Sequence, residues 1–247
     1  MANVEKLKSF LETNSYESKR CSCLDAEKGI NPFVTVSREA GAGGHSVAEA
    51  ILAELEKRSG PLFQGWHIID HEICELLSRE PGLQVSYHKL ITHEYHSQIQ
   101  DMLNQLVAGD SPQDKVLKKI FTFFRSLASV GKVILVGRGG CVLTRNLPLG
   151  VHLRLVAPLD DRIRATMTSL GYGEKKAREL IQEQDKGRKV LFRNFFNCDV
   201  SDPLLYDAVW NTAKVPAEVI ARSVVDLIEA RKCHCPGALN PVLVSKA

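Results

Sequence analysis

PFVTVSREAGAGGHSVAEAILAELEKR, from Pro32 to Arg58, decides how the rest of the chain is read. It opens on a short apolar, β-branched run, Phe33 to Val36, and breaks into a glycine-dense turn from Arg38 to Gly44. It closes with Val47, Ile51, Leu52 and Leu55 at helical spacing. That order is strand, glycine loop, helix. Glycines let a backbone approach a ligand closely, and the N–H groups at a helix start carry the positive end of the helix dipole, so such a loop suits phosphate. The match to G-x-x-x-x-G-K-[ST] is incomplete, because His45-Ser46 follows Gly44 where Lys-Ser/Thr would stand. Against the variant G-x-x-G-x-G-K-G-T, Gly41 and Gly43 match and Ser46 falls on the threonine. Gly44 then takes the lysine's place and Arg38 that of the first glycine. A tight strand-to-helix turn that needs glycine only for its geometry would use the same residues, so the downstream part of the chain has to decide between the two.

Past this segment, Trp66–Ile69 reads as a short strand ending at Asp70, where open α/β sheets place ligand groups; Asp also caps helices well, and His71-Glu72 open one. Residues 84–130 read as two helices. The first is long and polar, from Tyr87 to Val107. The second comes after the Gly109–Pro112 turn and is apolar at Val116, Ile120, Phe123, Phe124 and Leu127. Lys132–Val136 is a continuous apolar run, as expected of a buried parallel strand, and it ends in Gly137-Arg138-Gly139-Gly140. Gly150–Val156 is a further strand. Asp160–Leu170 and Glu174–Phe196 are helices joined by Gly171-Tyr172-Gly173, and their arginines suit a lid that closes over phosphates. Tyr206–Thr212 is the last strand. Pro216 opens a final helix with Val219, Ile220, Val224, Leu227 and Ile228 on its apolar side. Strand and helix alternate, which gives a doubly wound parallel sheet of the α/β class.

The chain has 247 residues, 44% of them hydrophobic and 25% charged, enough for one large α/β domain. Residues 1–31 read as an appended helix and linker, 32–230 as the domain with its lid at about 160–202, and 231–247 as a tail. No apolar run reaches membrane-span length, and the seven cysteines fit a reducing cytoplasm better than a disulfide framework. The net charge of +3 is too small to argue for nucleic acid. From Arg138 to Arg193, however, 12 Lys and Arg face 6 Asp and Glu, and eight of the 12 are arginine, the residue suited to bidentate phosphate contacts. Two metal readings are weak. Cys21-Ser22-Cys23 and Cys233-His234-Cys235 are spaced more tightly than a usual zinc site, and free surface thiols explain them. His88, His93 and His96 do not share one helix face.

These blocks together resemble the cytidylate-kinase-like branch of the nucleoside-monophosphate kinases, over roughly Phe33 to Ala230. The resemblance rests on VTVSREAGAGG-HSVAEAI, IIDHEI, VILVGRGG, Asp185-x-x-Arg188 and DPLLYDAVWNT. It implies a P-loop fold of five parallel strands, with ATP phosphates at Gly41, Ala42, Gly43, Gly44, His45 and Ser46 and with Ser46 helping to hold Mg²⁺. It implies that Arg138 and Gly139 grip a monophosphate acceptor whose region begins at Asp70. Arg162, Arg188 and Arg193 become lid arginines, and Asp185 orients one of them. The missing loop lysine is the departure, and replacing its charge falls to Arg38 or His45. The leading expectation is an ATP- and Mg²⁺-dependent kinase acting on CMP or dCMP. The competing readings are a nucleotide-binding sensor or scaffold with little chemistry, and a kinase for another small acceptor. Nucleotides are the expected partners, with neither nucleic acid nor membrane, and the cytoplasm is the expected location.

Overall fold

The computed structural model describes residues 31–70, 112–137 and 139–233. The expected N-terminal helix, the helices around His71 and Tyr87, the three histidines, Arg138, Cys21, Cys23 and Cys235 lie outside them. Five parallel strands form one sheet in the order β2-β3-β1-β4-β5. They are β1 (Phe33–Arg38), β2 (His67–Ile69), β3 (Val133–Val136), β4 (Gly150–Val156) and β5 (Ala208–Asn211). The helices are α1 (Gly44–Lys57), α2 (Pro112–Val130), α3 (Gly140–Leu143), α4 (Leu159–Leu170), α5 (Glu174–Phe196) and α6 (Ala217–Cys233). The doubly wound α/β architecture read from the alternation is the one observed.

The period of two along β1 sorts the core into two layers. Phe33 joins Phe121 and Phe124 of α2, Leu135, and Phe192 and Phe196 of α5. Val34 and Val36 join Val47, Ile51 and Leu55 of α1, and Ile220, Val224 and Ile228 of α6. Covered on both faces, the strands can be apolar throughout, which is why VILV reads as one uninterrupted run. Thr35 is the polar exception among the buried residues of β1. It is fully buried, and its hydroxyl lies 2.8 Å from His152 Nδ1. Each fully buried phenylalanine contributes about 2–3 kcal/mol by removing its ring from water.

Strand ends and one helix face differ from the sequence reading, the last strand shortening to Ala208–Asn211. β1 continues two residues past its apolar run because Ser37 and Arg38 still pair with Arg154 and Leu155. Backbone pairing, not hydrophobicity, ends the strand. On α6 the buried face carries Val225, while Val219, expected inside, is exposed at 37%. Pro216 stands one residue ahead of the helix, its carbonyl accepting from Ile220 N–H at 3.2 Å, and Val219 sits in the first turn. α4 and α5 meet at Gly171, which caps α4 at φ 66. Together they form a third, smaller cluster, Ile163, Ala177 and Ile181 around Ala40 of the glycine turn.

Candidate active site

The turn between β1 and α1 has the geometry of an anion cradle. Gly41 and Gly43 adopt φ 78 and 74, a left-handed backbone that disfavours a side chain. Gly43 is the N-cap of α1 and supplies no side-chain cap. The first amides of a helix have no intrahelical acceptors, so those of α1 point out of the turn with the helix dipole behind them. Gly41, Gly43, His45 and Ser46 are exposed, so the turn is open on that side, while Ala42 and Gly44 are buried. Thr212, just past β5, ties the turn down by donating from Oγ1 to the Ala42 carbonyl at 3.2 Å.

α4 and α5 hold the other side of the turn. Ala40 N–H donates to Asp185 Oδ1 at 2.7 Å, and the Ala40 carbonyl accepts from Arg162 Nη1 at 3.1 Å. Arg162 Nη1 also donates to Asp185 Oδ2 at 2.7 Å, and Arg188 Nη1 donates to Asp185 Oδ1 at 3.0 Å. Arg162 is 9% exposed. Its Nε donates to the Ala157 carbonyl at 3.0 Å and lies 3.5 Å from Glu39 Oε2, which in turn accepts from Ala157 N–H at 3.2 Å. Arg154 of β4 is buried, with Nη2 3.9 Å from Glu39 Oε1 and its guanidinium 5.8 Å from the Tyr206 ring centre. Three guanidinia therefore share two carboxylates. Burial pushes the pKa of Arg188 below the ordinary arginine value, Asp185 pulls it back up, and the Arg162 and Arg154 charges lower it further. The cluster carries a net positive charge beside the open turn, an arrangement that a polyanion completes.

Asp70, at the end of β2, is buried, and its Oδ2 lies 3.5 Å from His45 Nε2. The turn after β3 sits opposite. Gly137 and Gly139 adopt φ 90 and 69, and a Cβ on Gly139 would run into the Phe196 ring at the end of α5. Arg38, leaving β1, crosses between the two glycine turns. Its stem lies over Gly44 and its guanidinium over Gly137. Below the site, Cys141 is pushed up to about 12 by burial, so its thiol stays protonated at neutral pH.

Of the residues singled out from sequence, Arg38, Asp70, Arg162, Asp185 and Arg188 are gathered around the turn from Gly41 to Ser46, and Gly139 stands at the second turn. Arg193 is not brought to them. It is exposed on α5, near enough to Asp199 to help lower that carboxyl's pKa, behind the larger effect of Ser201 hydrogen bonds. Two members of the cluster, Glu39 and Arg154, were not picked from sequence. Arg154 had a signal, a cation inside an otherwise apolar parallel strand. Among the described residues no group of three or more His, Cys, Asp or Glu could hold a metal, and no helix is long and apolar enough to cross a membrane.

Comparison with known proteins agrees with this geometry. The chain is 27% identical over 133 residues to a cytidylate kinase of Sulfolobus acidocaldarius, covering 53% of this chain and 71% of that protein. A crystal structure of an uncharacterized protein from Eubacterium ventriosum superposes with a TM-score of 0.63 at 19% identity, covering 81% of this chain and 99% of that one, which shows a shared fold. The profile of the cytidylate kinase-like family matches residues 33–214, from the first residue of β1 to just beyond β5. With its five-stranded parallel sheet and most of its length under that profile, the chain belongs to the cytidylate kinase-like family.

Proposed function

We propose that the chain transfers the γ-phosphoryl group of ATP to a nucleoside monophosphate, with CMP or dCMP first among the acceptors. The observation that carries this reading is the clasp on Ala40. Arg162 and Asp185 come from α4 and α5, more than a hundred residues along the chain, and meet on the backbone of the phosphate turn, with Arg188 held against Asp185. A turn needed only for its shape would not require such a cluster.

The geometry suggests the roles. The amides from Gly43 to Ser46 bind the donor's phosphates. Arg162 and Arg188 supply positive charge where negative charge develops on the transferring group, and Asp185 fixes their direction. Phosphoryl transfer depends on this positioning and neutralisation more than on covalent chemistry. Arg138 and Gly139 are assigned to the acceptor's phosphate. An acceptor phosphate is already anionic at neutral pH, so no base has to remove a proton from it.

The donors present suit Mg²⁺, which takes one or two protein oxygens and fills its remaining positions with phosphate and water. Ser46 Oγ and the Asp70 carboxylate would be the oxygens to hold it, and no dedicated protein cage occurs among the described residues. Bound there, the ion would neutralise charge on the donor phosphates. A second acceptor class, an alcohol, is favoured by one observation. The buried Asp70 carboxylate beside His45 is a base that a phosphate acceptor does not need.

The test is a panel assay with ATP and Mg²⁺ across nucleoside monophosphates and hydroxylated small molecules. Conversion of CMP or dCMP supports the proposal. Absence of product from every monophosphate refutes it, and tight nucleotide binding without turnover would indicate the scaffold reading.

A further inference from the structure

We infer that Arg38 takes the place of the loop lysine, delivering from β1 the charge that such loops usually deliver from the helix. This rests on the kinase reading above. The first observation is that Gly44 has no conformational reason to be glycine. It lies in the first turn of α1 with an ordinary helical backbone. What it lacks is room. A Cβ on Gly44 would stand 3.0 Å from Arg38 Cγ, 3.2 Å from Cδ and 3.3 Å from Nε. A lysine at 44 would begin in tight contact with the arginine's stem, which would have to give by a few tenths of an ångström. The absence at 44 and the presence at 38 are two sides of one substitution.

The second observation is where the guanidinium goes. It lies against Gly137, where a Cβ would come within 3.0 Å of Arg38 Cζ. Gly137 opens the turn after β3, which the proposed function assigns to the acceptor. Arg38 therefore spans the gap between donor loop and acceptor turn. Its backbone is held in the central strand opposite Leu155. A side chain fixed at its root and packed between two glycines is preorganised, which is what electrostatic stabilisation of a transition state requires.

Guanidinium suits this location for a reason lysine does not share. Its planar fork presents five donors, so one edge can meet the donor's β- and γ-oxygens while the other meets the acceptor's phosphate. In the transfer, an acceptor oxygen forms a bond to the γ-phosphorus as the bond to the β–γ bridging oxygen breaks. ADP leaves with that electron pair. Arg38 donates hydrogen bonds throughout and neither gains nor loses a proton.

The test uses the full chain and four variants: Arg38→Met, which keeps the stem and removes the charge, Arg38→Ala, Gly44→Lys, and Arg38→Ala with Gly44→Lys. Each is checked for a cooperative thermal transition, then assayed for turnover on the monophosphate panel and for ADP binding by calorimetry. Arg38→Met is expected to lose about 10²–10³-fold in kcat, the scale for one preorganised donor. Gly44→Lys alone loses activity, because two stems compete for one space. The double variant recovers at least about tenfold over Arg38→Ala in kcat, and recovers ADP affinity with it. Arg38→Met within threefold of the parent in both readouts overturns the inference and leaves the proposed function standing. A double variant no better than Arg38→Ala overturns the replacement. If the parent itself turns nothing over, the proposed function falls, and ADP affinity across the same series decides the role of Arg38. Should Arg38→Ala fail to fold, Arg38→Met carries the test, since it leaves the space over Gly44 filled.

Discussion

Replacing Asp185 with asparagine keeps the side chain's shape and removes its charge, and the consequences can be worked from the contacts. Oδ1 accepts from Ala40 N–H at 2.7 Å and from Arg188 at 3.0 Å, and Oδ2 accepts from Arg162 at 2.7 Å. An asparagine has one oxygen. Whichever way the amide turns, its NH₂ group faces a donor, either Arg162 or Ala40 together with Arg188. Arg162 is 9% exposed, so water cannot readily stand in. Among the described residues, Glu39 is then left as the one carboxylate in contact with Arg154 or Arg162. Removing one partner of a buried pair costs about 3–5 kcal/mol. The side chains of Asp185 and Arg188 keep 22% and 24% exposure, so the lower end, about 3 kcal/mol, applies. For a domain of this size each kcal/mol moves Tm by about 2–4 °C, so scanning calorimetry at neutral pH should record a fall of roughly 6–12 °C. ATP should recover more of that loss in Asp185→Asn than it adds to the parent, because its phosphates supply the missing negative charge. Turnover should fall by at least about tenfold, since the arginines lose their direction. A variant melting within about 2 °C of the parent would refute the reasoning, for it would mean that solvent already satisfies these guanidinia.

The packing sets two further outcomes. Burial lowers the His152 pKa to about 4, Asp207 opposing and Arg231 adding to the effect, against an ordinary 6.5. The unfolded chain therefore takes up a proton that the folded chain refuses. This contribution is whole above pH 6.5 and is lost as pH falls from there toward about 4, by on the order of 3 kcal/mol. Urea unfolding at about pH 7 and about pH 4.5 should show a smaller loss in His152→Gln than in the parent, and equal losses would remove His152 as the cause. Gly139→Ala forces a Cβ into the Phe196 ring at a backbone φ of 69, which should cost about 3 kcal/mol in chemical denaturation. Phe196→Leu in the same background should return part of it, and a Gly139→Ala protein as stable as the parent would contradict the packing described.

The sheet was legible in the sequence because its signals are local. Apolar β-branched runs mark β1, β3 and β4, and Gly41 and Gly43 mark the turn without reference to anything distant. The α4–α5 pair was legible in outline, since Arg162, Asp185 and Arg188 lie on helices whose period is plain. What was not legible depends on partners far apart. Glu39 gains its role only when Ala157 and Arg162 arrive beside it. Arg154 and Arg193 show the limit most clearly. Both are arginines in the basic stretch, but alternation along β4 turns one under the turn, while the helical phase of α5 points the other to solvent. Composition cannot separate them. Arg38 could be suspected but not placed, because its meaning lies in the space over Gly44, which only coordinates show.

The central position of β1 bears on how the protein is made. Both edges of that strand wait for later sequence, Val34 pairing first with Ile134 and then with Val151. At about 5–20 residues per second, a ribosome needs roughly 5–20 s to cover the hundred residues between Val34 and Ile134. For that interval an apolar, β-branched ribbon with open edges hangs from the growing chain, shielded on one face at most by α1, and such segments are prone to sticking to their neighbours. Yield in a host cell should therefore depend on translation speed between β1 and β3, where slow codons lengthen the exposed interval.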